Sequence, residues 1–134
     1  MLNIISLGAG VQSTAMALMA AHGEISPMPD CAIFADTQGE PKAVYEHLRW
    51  MMSANVLPFP VHIVTAGNLK DQIAAERPKG RFLKVDIPAF VLAPNGTTAL
   101  INRSCTRDFK IDPIRRKVRE QIGASCRERV SSPV

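Results

Sequence analysis

Between the apolar run Leu2 to Leu7 and a helix-forming segment stands Gly8-Ala9-Gly10-Val11-Gln12-Ser13-Thr14, which puts glycines and hydroxyls where a strand passes into a helix. Glycine admits positive φ and carries no Cβ, so backbone N–H groups there can close on an anion. Ser13 and Thr14 add hydroxyl donors, Ser6 lies just upstream, and the positive end of the helix dipole favours negative charge. These residue types in this order predict a phosphate cradle, with a plain strand-to-helix connection as the competing reading. Two familiar nucleotide motifs do not fit. The loop lacks the lysine that a Walker loop needs, and Ser13 stands where a dinucleotide fingerprint needs its third glycine.

A second polar cluster follows Cys31-Ala32-Ile33-Phe34-Ala35, a short apolar run of the kind expected for a strand buried on both faces. The run stops at Asp36-Thr37-Gln38-Gly39-Glu40, before Pro41 opens a helix. Ligands of open α/β sheets bind outside the carboxyl ends of the strands, which makes Asp36 and Thr37 candidates. The Asp36 carboxylate suits a ribose hydroxyl or a metal held through water; a helix-capping turn accounts for the same residues.

The charge that would balance a bound phosphate is local. Residues 102–129 hold nine Lys and Arg against Asp108, Asp112, Glu120 and Glu128, a surplus of +5 in a chain whose net charge is +4. The loop itself is neutral, so Lys110 and Arg107 are expected to face the same crevice, with Arg115, Arg116 and Arg119 turned to solvent. Asp112 as N-cap and Pro113 at the first helical position predict a helix starting there, with Ile114, Val118 and Ile122 as its apolar stripe. A solvated helix face is the default reading of its arginines; an RNA or protein partner stays open.

The Gly8–Thr14 loop resembles the PP-loop, typically SGGxDST, of the adenine nucleotide α-hydrolase superfamily. That superfamily includes ATP pyrophosphatases and phosphoadenosine phosphosulfate (PAPS) reductases. Gly10, Val11, Ser13 and Thr14 match the pattern, Gly8 and Ala9 stand in place of its Ser and Gly, and Gln12 replaces its Asp. The Asp36 turn is similar to the family's Asp-Thr-Gly turn with Gln38 interposed. Downstream, Cys105, Lys110, Pro113 and Ile114 fit the Cys-x-x-x-x-Lys-x-x-Pro-Leu block of PAPS-reductase-like proteins, of the type associated with phages and prophages.

This resemblance implies a three-layer α/β/α Rossmann-like (HUP-type) sandwich with a mainly parallel sheet and a central first strand. It places the nucleotide and phosphate site at Ser6, Gly8, Ala9, Gly10, Val11, Gln12, Ser13, Thr14, Asp36, Thr37, Cys105, Arg107 and Lys110, with no catalytic residue assigned. The implied ligand is ATP or PAPS, with Mg²⁺ accompanying ATP. An ATP pyrophosphatase would release pyrophosphate after attack at the α-phosphorus; a PAPS-reductase-like enzyme would use a cysteine thiolate on sulfur. A third reading is an inactive or shortened nucleotide- or partner-binding module, in keeping with Gln12. No iron–sulfur cluster is expected: one held by four cysteines of one chain is excluded by count, because only Cys31, Cys105 and Cys126 are present and Ser104 adjoins Cys105.

The elements that must hold these residues alternate as an α/β domain should. Strands are expected near residues 2–7, 31–35 and 61–65, joined by a helix ending at His22-Gly23 and a second from Pro41 to about Ala54. Asn68 is suited to cap a short helix, Arg77-Pro78-Lys79-Gly80 reads as a basic turn, and Pro94-Asn95-Gly96 as a turn before Thr97 to Ile101. Tyr45 and Trp50 read as packing residues. His22, His47 and His62 lack metal-ligand spacing, and no G-x-S-x-G elbow is present. The 134 residues, 46% hydrophobic and 21% charged, suit one domain, 1–123, followed by an irregular tail, 124–134, that reads as a shortened or altered C-terminus. No apolar run approaches the ~20 residues of a membrane span. A cytoplasmic location without disulfides is expected, with self-association where apolar surface is left uncovered.

Overall fold

The computed structural model of the chain describes residues 1–74, 90–100 and 105–130. Strand β1, Ile4–Leu7, leads into helix α1, Val11–Ala21; β2, Cys31–Asp36, into α2, Lys42–Met51; and β3, Val61–Thr65, into the short α3, Leu69–Ala74. The three strands form one parallel sheet in the order β1-β2-β3. A separate antiparallel hairpin joins β4, Phe90–Leu92, to β5, Thr98–Leu100, through the expected Pro94-Asn95-Gly96 turn. The expected Arg77–Gly80 turn lies outside the described residues.

The first helix ends as its sequence demands. Gly23 has φ +78°, and the N–H groups of Gly23 and Glu24 reach back to the carbonyls of Ala20 and Met19. This is the crossed bonding that a left-handed glycine permits at a helix C-terminus.

Among the described residues β2, not β1, is the central strand, which corrects the expected central position of β1. Both crossovers carry the chain in one direction across the sheet, so β1 is left at the margin with Ser6 exposed. The apolar run 31–35 is buried throughout, as befits a strand covered on both faces.

On one face Ile5, Leu7, Ala32 and Phe34 meet Ala17 and Ala20 of α1 and Leu48 and Met51 of α2 in one buried cluster. The small α1 alanines, 0–1% exposed, let that helix sit close to the strands. At the third strand's start, Phe59 closes the same cluster.

A further helical segment lies against β2 and β3. It is already helical at Cys105 and passes through a π-helical stretch, Arg107–Ile111, into α4, Asp112–Val130, with Phe109 buried to 2% exposure. The expected start at Asp112 is thereby corrected: its backbone is helical, φ −68° and ψ −41°. Pro113 accounts for the widened turn. It offers no N–H to the Phe109 carbonyl, and its ring would collide with that carbonyl in an ordinary α-helix. The tail expected to be irregular from Ala124 is helical as far as Val130, in keeping with the helix-forming Arg-Glu-Arg run at 127–129.

Candidate functional site at the carboxyl ends of the strands

The loop after β1 closes differently from its sequence expectation. Neither Gly8 nor Gly10 has positive φ; the left-handed residue is Ala9, at φ +53° and 7% exposed. Ser13 Oγ accepts the Gly8 N–H at 3.2 Å and donates to the Gly10 carbonyl at 3.2 Å, so this hydroxyl ties the loop to the helix it starts. Thr14 points toward α2, where its Oγ1 lies 2.9 Å from His47 Nε2, and the His47 ring stacks on Trp50 with centroids 5.4 Å apart. Both hydroxyls expected to donate to a phosphate therefore have partners inside the chain.

The donors left for a ligand are backbone amides. The first helical bond runs from the Thr14 N–H to the Gly10 carbonyl, and the amides of Val11, Gln12 and Ser13 precede it at the positive end of α1. Val11 and Gln12 are exposed, and a Cβ built on Gly10 would meet nothing within 4 Å, so the space over this amide group is open.

The turn after β2 is held by its own side chains. Asp36 accepts hydrogen bonds from the Gln38 N–H and the Tyr45 hydroxyl, each at 2.7 Å. Burial, and after it the bond to Asp36, push the Tyr45 hydroxyl above its ordinary pKa. Gln38 is left-handed at φ +56°, so each of the two turns contains a strained non-glycine residue. Thr37 is buried and donates to Glu40 Oε1 at 3.1 Å, while its carbonyl accepts the Leu69 N–H. Gln38 Nε2 reaches Thr65 Oγ1 at 3.4 Å, which fastens the second turn to the end of β3.

Lys110 comes to this end of the sheet. Its Nζ lies 3.5 Å from Glu40 Oε1, so the π-helical stretch delivers a cation to the turn after β2, beside the strand that carries the glycine loop. Arg107 instead pairs with Asp112 at 3.9 Å and is largely exposed. Cys105 is a half-buried free thiol at the start of the same segment. Arg115, Arg116 and Arg119 are exposed on α4, as expected. Among the described residues no group of three or more His, Cys, Asp or Glu side chains could hold a metal ion, and no described helix is long and apolar enough to cross a membrane.

Three residues of this constellation escaped sequence reading. Glu40 was legible only as part of a polar turn, although an acid beside a basic downstream segment is a pairing signal. Tyr45 and His47 lie on α2 and read as packing residues or as an isolated histidine. His47 does fall on the Val44–Leu48–Met51 stripe that faces inward, which was an available signal. No protein-family model, curated protein or solved structure matches the chain.

Proposed function

We propose that the chain binds an adenine nucleotide, ATP or PAPS, at the carboxyl end of its parallel sheet, as a PP-loop protein of the PAPS-reductase-like type. The carrying observation is the convergence of an open amide group at the start of α1, the Asp36 turn and the Lys110 ammonium at that end. On this reading the phosphates rest on the amides of Val11, Gln12 and Ser13, and Lys110 balances their charge. Asp36, held by Tyr45 and the Gln38 N–H, accepts from a ribose hydroxyl. Ser13 and Thr14 shape the loop from behind. On the same reading, helices α1 and α2 and the Cys105–Val130 segment are the outer layers of a three-layer α/β/α Rossmann-like sandwich, which the parallel three-stranded sheet supports.

Calorimetric titration of ATP with Mg²⁺ and of PAPS into the protein and its Gly10→Val variant tests the binding. Extended backbone at Gly10, φ −92° and ψ 175°, accepts a β-branched residue, and the space is open, so the fold tolerates valine while the ligand does not. Stability should fall by no more than about 1 kcal/mol, the penalty of valine in place of glycine at a helix N-cap, with binding lost. Unchanged affinity in the variant sinks the proposal. Incubation with ATP and Mg²⁺, then with PAPS and a thiol reductant, assigns the reaction class: AMP with pyrophosphate marks the one, sulfite the other, and neither product a binding module.

A further inference from the structure

Away from the glycine loop, a cleft of about 340 Å³ runs between β3 and α4, with His62, Ile63, Thr65, Arg116, Lys117 and Glu120 in its lining. Its chemistry is cationic and donor-rich. Arg116 and Lys117 contribute two positive charges from α4 and His62 a ring nitrogen. The single acid, Glu120, pairs with Lys117 at 3.3 Å, so Arg116 supplies the uncompensated charge on the lining.

The strand side adds backbone donors. Ala32 N–H bonds to the Pro60 carbonyl, and in the parallel register this pattern turns His62 and Val64 toward β2. The N–H groups of Ile63 and Thr65 then point to the outer edge of β3, which has no partner strand among the described residues. Exposure of Ile63, at 51%, agrees with an open edge. A planar guanidinium and strand-edge amides lining one small cleft suit an oxyanion, which the guanidinium can grip bidentately while the amides donate to it.

We infer that the cleft between β3 and α4 is a second binding site, for the carboxylate or phosphate group of a small molecule, with Arg116 as its principal ligand-binding residue. It is separate from the Gly8–Thr14 loop and does not depend on the nucleotide reading. A polyanion lying along α4 is the rival occupant, because Arg115 and Arg119 are exposed on the same helix. The compact lining favours the small ligand: Arg116 belongs to it and Arg115 and Arg119 do not.

The test is a two-dimensional amide NMR titration of the full chain with inorganic phosphate and, separately, succinate, each against sodium chloride at matched ionic strength. Saturable shifts of Ile63, Thr65 and the Arg116 side chain are expected, and whichever anion binds tighter identifies the group. Arg116→Gln should lower the affinity about tenfold, the loss of one charge-assisted bond. Arg115→Gln and Gly10→Val should leave it unchanged, the latter separating this site from the nucleotide loop. Shifts that follow chloride equally, that map only to the start of α1, or that weaken alike in Arg115→Gln and Arg116→Gln overturn the inference. An oligouridylate that binds α4 while both small anions fail to bind the cleft also overturns it.

Discussion

Removing the ammonium of Lys110 separates its two roles, because the structure sets the size of one and the chemistry of phosphate the size of the other. In the free protein Lys110 meets Glu40 at 3.5 Å, with 49% and 24% of the two side chains exposed. A pair so open to water contributes about 0.2–1 kcal/mol, and Lys110→Ala should cost no more than that in a urea titration. A bond to a nucleotide phosphate is charge-assisted and worth about 1–3 kcal/mol, so calorimetry should show about a 5- to 150-fold loss of affinity. Glu40 sharpens the test. Lysine must leave Glu40 to reach a phosphate, and the acid repels the incoming charge, so Glu40→Gln should raise affinity while its amide oxygen still accepts from Thr37. In the Lys110→Ala background the same change should give a smaller gain, since only the repulsion remains to be relieved. Unchanged affinity in Lys110→Ala, or a loss in Glu40→Gln equal to that in Lys110→Ala, refutes the reasoning.

The other expectations concern the frame around the site. Phe109→Ala, at a position 2% exposed between the π-helical stretch and β2, should cost about 3–5 kcal/mol by chemical denaturation. Ala9→Gly should change stability by less than about 1 kcal/mol in the same assay, because relief of an alanine held at φ +53° offsets the loss of its buried methyl; a loss well beyond that would show that the loop does not hold this conformation. Tyr45 keeps its proton more tightly folded than unfolded, so its contribution is complete below the ordinary tyrosine pKa and is lost as pH rises through the raised value. Tyr45→Phe should flatten that alkaline loss of stability, and an identical pH profile would argue against the Asp36 bond.

The three parallel strands and two intervening helices were legible because their cues are local: apolar runs of strand length, Gly23 after α1 and Pro41 before α2. The strand order was not, since which edge of β1 acquires a neighbour depends on the direction of both crossovers and on segments far along the chain. Pro113 gave a misleading cue. Proline marks a helix start far more often than a π-helical interior, and here the segment on both sides of it packs against the sheet, with Phe109 buried. Within the site, the glycine loop and the Asp36 turn were legible as positions but not as bonding. Ser13 and Thr14 have hydroxyls that suit a phosphate, yet nearer partners, the Gly10 carbonyl and the His47 ring, engage them. The Lys110–Glu40 contact was half legible: the lysine's destination was expected, its partner was not.

Trp50 is the chain's single tryptophan, and it stacks on the imidazole that holds Thr14. The protein therefore carries its one indole fluorophore two contacts from the glycine loop. Any ligand that shifts Thr14 alters the same stack, which supplies a label-free optical signal for the start of α1 without a substituted residue or an attached dye.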